Sequence, residues 1–529
     1  MSIEPILIAG QWRASESTVT FRAENPSTKS PLPPEYPVSS WADCEAALAA
    51  AATAAIQLRR VLPEQLAAFL DDFAARIEAR KEELVELAHA ETGLPKTPRL
   101  ADVELPRTSG QLRTAAAAAR EGTWSCPTID SKNNIRSYFA PLGPICVFGP
   151  NNFPFAFNSV SGGDFAAAIA AGNPVIAKAN SSHPGTTRLL AELAFEAIKG
   201  ARLPAATVQL LYRTSHEDGE RLVADPRVGA TGYTGSRAAG LALKTAADKA
   251  GKPIYLELSS VNPVVILPGA LAERFDDILG QFVTSSLMGA GQFCTNPGLV
   301  VLLRDAACEK FTQAVAEKFK SSPAGTLLSR GVAVSLQKGI EALRSAGAKQ
   351  LAGDGSVDAG RYCRPNTLLS VGGEEFLQSP HALQTEAFGN AALFVVANDL
   401  SQACAVLDQL EGNLTGCIYS ATDGRDDDIY PRIAEHVRPK VGRLLNDKMP
   451  TGVAVSPAMI HGGPYPATGH PGFTAVGIPA SLHRFAALQC FDGVRPARLP
   501  EILRDRNPGG RAWRYVDGRW TREDIVAGS

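Results

Sequence analysis

PVIAKA (174–179), TTRLLAELAFEAIKG (186–200), ATVQLLY (206–212), SRAAGLALKTAADKAG (236–251) and PIYLEL (253–258) follow one another with short breaks between them. The first, third and fifth are short apolar runs. The second and fourth carry their apolar residues at helical spacing. Short strands that alternate with helices predict a parallel α/β sheet, because parallel neighbours need a crossover of about that length.

The pattern extends in both directions. IRSYFAPLG (135–143) and PICVFGP (144–150) are β-like. Residues 64–91 read as one long amphipathic helix with Leu66, Phe69, Leu70, Phe73, Ile77, Leu84 and Leu87 at helical spacing, ended by ETGLP with Gly93 as C-cap. NPVVILP (262–268) is a further strand. A second α/β series starts near residue 265: a helix around LAERFDDILGQFVTSSLMG, the strand LVVLL, a helix around CEKFTQAVAEKFKSS, the strand ALFVV and a helix from about Asp399. Residues 496–529, rich in Arg, Gly and Pro, read as an irregular tail.

A chain of 529 residues is too long for one ordinary core, so two or three domains are expected. With 45% hydrophobic and 20% charged residues and a net charge of −2, it reads as a soluble globular protein with no electrostatic case for nucleic acid or membrane partners. MSIEPILIAGQWRAS lacks the basic start and apolar run of a secretory signal. The run nearest to a membrane span, AAAIAAGNPVIA, is interrupted by Gly172, Asn173 and Pro174. Nine cysteines, odd in number, irregularly spaced and without a CxxC pair, argue against a disulfide framework or a zinc ribbon. A reducing, cytoplasmic setting fits them.

Small motifs carry the chemistry. GYTGS (232–236) follows a short β-like run and opens a helix; Gly235 would let backbone approach a ligand, and Ser236 is placed as an N-cap beside free amides suited to a pyrophosphate. Taken alone, a plain strand-to-helix turn is the simpler explanation. Lys178, just after a strand in VIAKANSS, could bond ribose hydroxyls or simply be solvated. GQFCTNPG (291–298) surrounds Cys294 with small, polar and turn-forming residues, as a loop presenting a thiol would, although a bystander cysteine in a turn has the same look.

Five motifs in register change that balance. PNNFP (150–154), KANS (178–181), ELSS (257–260), GQFC (291–294) and EAFG (386–389) occur in the order found in the NAD(P)-dependent aldehyde dehydrogenase superfamily, which the chain resembles over roughly residues 5–495. The resemblance implies Cys294 as nucleophile, giving a thiohemiacetal and then, after hydride loss, a thioester. It implies Asn152 and the Cys294 amide as oxyanion donors, each worth on the order of 10²–10³ in rate. Glu257, partly buried after a strand and so raised in pKa, would activate the hydrolytic water. Glu386 would bond the nicotinamide ribose and Phe388 would pack beside it.

The implied architecture is α/β and aldehyde dehydrogenase-like. A Rossmann-type cofactor domain would take 1–125, 147–264 and 452–482. An α/β catalytic domain would take 265–451. A β oligomerisation arm would take 126–146 and 483–495, with the tail at 496–529. Such arms hide strand edges in a dimer or tetramer. Three departures matter. Asn151 stands at the family's Trp. ELSS adds two hydroxyls beside the base. Ser181 replaces a Glu that would repel a 2′-phosphate, so NADP is expected to be accepted, with His216 a candidate for a further donor, and NAD also used.

The long stretch 148–187 with ELSSVNP and GQFCTNPG is most similar to the α-ketoglutarate semialdehyde (2,5-dioxopentanoate) dehydrogenases. The neighbouring alternatives are NADP-dependent fatty aldehyde dehydrogenases and CoA-acylating relatives. Asn158, Ser161 and Arg443 are candidates for the substrate's carboxylate. HGGPYPATGHPGF (461–473) would lie at the substrate mouth, with Phe473 a pocket aromatic. His461 and His470 are neither spaced nor accompanied like metal ligands, so no metal is expected.

Overall fold

The computed structural model describes residues 3–525. The first sheet has seven strands in the spatial order Ile254–Glu257, Ala230–Thr234, Ile145–Phe148, Val175–Lys178, Val208–Leu211, Ile6–Ile8, Gln11–Arg13. The first five are parallel, with Val147 paired to both Ala177 and Gly232, and the last two are antiparallel. From Ile145–Phe148 the chain winds outward through Val175–Lys178 and Val208–Leu211. It then returns to the other side for Ala230–Thr234 and Ile254–Glu257. Where the winding reverses, the loops leaving the strands' C-terminal ends diverge and open a crevice. Gly149, Lys178, Gly235 and Glu257 all stand at those ends.

The second sheet also has seven strands: Lys349–Ala352, Thr367–Gly372, Ala391–Ala397, Leu299–Leu303, Val264–Ile266, Asn413–Tyr419 and Val441–Asn446. All but the first, antiparallel edge strand are parallel. Both faces are covered, which is why these strands read as continuous apolar runs rather than alternating ones. Val265, Val301 and Val395 join one apolar cluster, while their neighbours Val264, Val300 and Phe394 join another on the opposite face.

The third sheet corrects the reading of the tail. Its five strands run Ala486–Asp492, Ile135–Pro141, Thr128–Asp130, Arg514–Val516, Arg519–Thr521. Residues 496–525 are therefore not an irregular extension: Arg514–Val516 pairs in parallel with Thr128–Asp130 and the next strand completes the sheet. Residues 526–529 lie outside the described residues. Arg514 is fully buried and donates to the carbonyls of Asp505 and Glu523 at 3.0 and 2.9 Å.

The long helix expected over 64–91 is two helices, Pro63–Ala79 and Lys81–Thr92. Arg80 leaves the helical region at φ −111°, ψ 26°, and Gly93 caps the second helix at φ 67°. The helix around LAERF spans Pro268–Leu287 and is bent at Arg274.

Candidate active site

The crevice of the first sheet is a cleft of about 410 Å³. Asn152, Gly235, Ser236, Glu257, Cys294, Glu386 and Phe388 all line it. Residues scattered over more than two hundred positions thus meet in one cavity, together with Asn151 from the departed Trp position.

Cys294 is delivered by a tightly constrained loop. Gly289, Ala290 and Gly291 take φ of 55°, 56° and 68° in succession. A Cβ on Gly291 would stand 2.1 Å from the Gly389 carbonyl oxygen, so the GQFC and EAFG motifs interlock through this glycine. Gln292 fastens the loop: its Nε2 donates to the Gly289 and Thr326 carbonyls, and its Oε1 accepts from the Leu328 amide at 2.8 Å. Asn262 Nδ2 donates to the carbonyls of Cys294 and Asn296, both at 2.9 Å.

Asn152 is held from below. Arg99 Nη2 donates to the Asn152 carbonyl at 3.0 Å, and Arg99 Nη1 pairs with buried Glu104. Glu104 Oε1 accepts from the amides of Phe155 and Ala156 at 2.8 and 3.0 Å, which fixes the PNNFP loop. Asn152 Nδ2 donates to the Gln292 carbonyl at 3.0 Å, joining the two loops and leaving one N–H over. Among the described residues the Cys294 amide has no acceptor. These two N–H groups are free to donate to an anionic oxygen beside Cys294.

The sequence missed one participant. His461 is buried, with its Nε2 3.3 Å from Cys294 Sγ and 3.0 Å from Glu257 Oε1. The imidazole joins the Cys294 sulfur to the Glu257 carboxylate. Its expected place at the substrate mouth is corrected to the centre of the site. It is also accompanied, since the Cys294 sulfur, the His461 nitrogen and the Glu257 oxygen lie within 4.8 Å of one another, close enough to hold a metal ion. His470 is not part of this set; its Nδ1 accepts from the Gly472 amide at 2.9 Å. A local signal for His461 existed in the glycines after it. A Cβ on Gly462 or Gly463 would stand 2.2 Å from the Phe473 oxygen or 2.1 Å from the Asn413 oxygen, so HGG is pinned on both sides.

Electrostatics divide the roles. Burial pushes the Cys294 thiol well above its ordinary value, the Glu257 charge pushes it further, and Arg107 opposes. Forming the thiolate here calls for a nearby proton acceptor. Glu257 is 1% exposed, and its Oε2 has no hydrogen-bond partner among the described residues. Burial raises Glu386 to about 7, against hydrogen bonds from Ser259 and Ser260, with the Glu257 charge adding to the rise.

The residues expected on the cofactor side stand at or after the C-terminal ends of the first sheet's strands. Ser236 is the N-cap residue of helix Arg237–Lys249, but its side chain caps nothing, so the first-turn amides stay free. Gly235 has a different constraint from the one expected: a Cβ there would meet the Tyr233 hydroxyl at 2.7 Å. Burial lowers Lys178 to about 8, with the Arg213 charge contributing. Ser181 follows in the turn whose Asn180 Oδ1 accepts from the Ser182 amide. His216 starts helix His216–Ala224 and is exposed.

Two proposed carboxylate binders are not brought to the cavity. Asn158 is fully buried, donates to the Pro154 carbonyl and Thr187 Oγ1, and accepts from the Val160 amide. Ser161 is fully buried and donates to the Phe155 carbonyl at 2.7 Å. Both spend their polar atoms on partners within the fold: Asn158 on Pro154, Val160 and Thr187, and Ser161 on Phe155. Arg443 donates to the Pro450 and Gly452 carbonyls at 3.0 and 3.1 Å. Phe473 is buried in the apolar wall with Phe153, Phe157 and Phe293, against which Cys294 packs.

The fold and this cysteine-centred site define a class, and sequence comparison agrees: residues 12–453 match the aldehyde dehydrogenase family, to which the chain belongs. It is 39% identical over 525 residues to alpha-ketoglutaric semialdehyde dehydrogenase 2 of Azospirillum brasilense, covering 96% of this chain and 98% of the relative. It is 34% identical to alpha-ketoglutaric semialdehyde dehydrogenase of Acinetobacter baylyi, covering 95% and 96%. Among solved structures, aldehyde dehydrogenase C of Pseudomonas syringae, complexed with NAD+ and octanal, superposes with a TM-score of 0.78 at 21% identity, over 94% of this chain and 98% of that one. The NAD+ complex of a Bacillus cereus aldehyde dehydrogenase gives 0.79 at 19% identity, over 93% and 96%.

Proposed function

We propose that the protein oxidises α-ketoglutarate semialdehyde to α-ketoglutarate with NADP+ or NAD+. The observation that carries this is the convergence of Cys294, Glu257 and Asn152 in the cleft, with His461 between the sulfur and the carboxylate. The two relatives named for that substrate support its identity.

The chemistry follows from the distances. His461 Nε2 takes the Cys294 proton, and the Glu257 carboxylate stabilises the imidazolium. The thiolate attacks the aldehyde carbon, and the Asn152 amide and Cys294 N–H hold the oxyanion of the thiohemiacetal. NAD(P)+, when bound, accepts the hydride that leaves this carbon. The carbonyl re-forms as a thioester on Cys294. Glu257 Oε2, which no described residue engages, accepts a proton from a water that attacks the thioester carbon, and the thiolate leaves. A dinucleotide fits the residues beside this centre: free helix amides for the pyrophosphate, Lys178 and Glu386 for ribose hydroxyls, and Phe388 against the nicotinamide end. Arg213 is exposed, pairs with no side chain among the described residues and lies near Lys178, so its charge with Ser181 suits a 2′-phosphate.

A base with a free carboxylate oxygen favours water over CoA as acceptor, and product analysis with and without CoA checks this. A homo-oligomer is supported by the arm sheet, whose edge strand Ala486–Asp492 leaves Leu488 63% exposed. No helix among the described residues is long and apolar enough to cross a membrane. All nine cysteines are free, which supports a cytoplasmic setting.

The test is the initial rate of NADPH and NADH formation on α-ketoglutarate semialdehyde, succinic semialdehyde and a long-chain aldehyde. Preference for the keto-acid aldehyde is expected. Preference for the long chain would overturn the substrate, and no turnover of any aldehyde would overturn the chemistry.

A further inference from the structure

A second cavity, of about 760 Å³, adjoins the cleft. Asn152 and Cys294 line the cleft, while their neighbours Phe153 and Phe293 line the second cavity, so the two spaces meet across these loops. Its walls include Met288, Val453 and Val455, and its only charged lining residues are Arg99, Glu104 and Arg107. Arg99 and Glu104 neutralise each other. One positive charge is left over.

Arg107 holds that charge in an unusual state. Its Nε and Nη2 are shut off from solvent and find no acceptor among the described residues. Its guanidinium lies 5.0 Å from the Phe157 ring centre and 5.8 Å from that of Phe153. Phe157 also neighbours the His461 ring, at 5.6 Å, and His461 touches Cys294. Arg107 is thus one aromatic ring away from the histidine at the reacting sulfur, close enough for its charge to act on that thiol. A desolvated cation with unmet donors is costly unless something supplies the acceptors. The third nitrogen, Nη1, is not enclosed and makes no hydrogen bond among the described residues, so the guanidinium can meet a carboxylate in the cavity there.

We infer that Arg107 is the anchor for the carboxylate of an aldehyde substrate, the group that selects an aldehyde acid over a neutral aldehyde. This rests on the proposed aldehyde oxidation and deepens it by naming the residue that reads the substrate's far end. The candidates drawn from the sequence suit this role less well. Asn158 and Ser161 are sealed in their loop, and Arg443 is engaged by two carbonyls. A neutral aldehyde would leave the Arg107 donors unpaired, and an unpaired buried charge is a strong source of discrimination.

The experiment compares Arg107→Met and Arg107→Lys with wild type on α-ketoglutarate semialdehyde, succinic semialdehyde and hexanal, with thermal melting as a control for folding. In Arg107→Met the ratio of kcat/KM for each acid aldehyde to that for hexanal should fall about 100-fold, mostly through KM, and Arg107→Lys should recover part of it. Product inhibition by α-ketoglutarate should weaken in parallel. A proportional loss on all three aldehydes, or unchanged ratios, would overturn the anchor and leave the proposed reaction standing. A wild-type enzyme inactive on the keto-acid aldehyde would overturn that substrate, while the succinic semialdehyde ratio would still decide the role of Arg107.

Discussion

His461 presents one nitrogen to both the nucleophile and the base, so its removal should be felt first at the sulfur. Burial and the Glu257 charge both disfavour the Cys294 thiolate, and the imidazole is the acceptor within reach. His461→Gln should lower kcat by on the order of 10²–10⁴ and slow alkylation of Cys294 by iodoacetamide at neutral pH. Equal alkylation rates in the two proteins would contradict this role. Glu386 gives a pH signature. Its carboxyl is raised to about 7, first by burial. In the proposed role at the nicotinamide ribose, the carboxylate would accept from hydroxyls with both oxygens and the protonated form with fewer. Cofactor affinity should therefore rise as pH increases through about 7 and level off above it, and Glu386→Gln should flatten the curve; binding titrations across pH measure both. Cys294, Glu257 and Asn152, which all line one cleft, were picked out by the resemblance of their short motifs to a family's. His461 was not, because its meaning lies in its distance from residues 167 and 204 positions away.

The loop that carries Cys294 depends on its glycine more than on any side chain. Gly291→Ala would put a Cβ at φ 68° and 2.1 Å from the Gly389 oxygen. One of the two loops must shift, at a cost of about 3 kcal/mol or more, so Tm should fall and activity should drop even if the protein folds. An unchanged Tm with full activity would show that the two motifs are not interlocked. At this scale the alternation of apolar runs and helical stretches revealed the parallel strands of the first sheet and three strands of the second, Val264–Ile266, Leu299–Leu303 and Ala391–Ala397, while Thr367–Gly372, Asn413–Tyr419 and Val441–Asn446 went unread. The break at Arg80 was hidden, because the helical spacing of apolar residues continues across it and arginine is no helix breaker. The strand pair at 514–521 was hidden by composition, although its turn residues, Asp517 and Gly518 at φ 48° and 88°, form the Asp-Gly pair that a two-residue hairpin favours.

The three sheets place the reaction where the first winds back on itself and the second presents its cysteine loop. The third sheet faces outward, with Leu488 on one edge and Trp520, 53% exposed, near the other. If the edge strand Ala486–Asp492 adds to a neighbour's sheet, Leu488→Lys should shift the assembly toward smaller species in light scattering, whereas an unchanged mass would mean the contact lies elsewhere. Oxidation of an aldehyde while it is bound to Cys294, with release by Glu257, is best tested by mass spectrometry of Glu257→Gln after mixing with α-ketoglutarate semialdehyde and NADP+. One reduced cofactor per site and an acyl group retained on Cys294 as a thioester are expected. Cofactor reduction with no adduct on Cys294, or an adduct on another residue, would refute the mechanism.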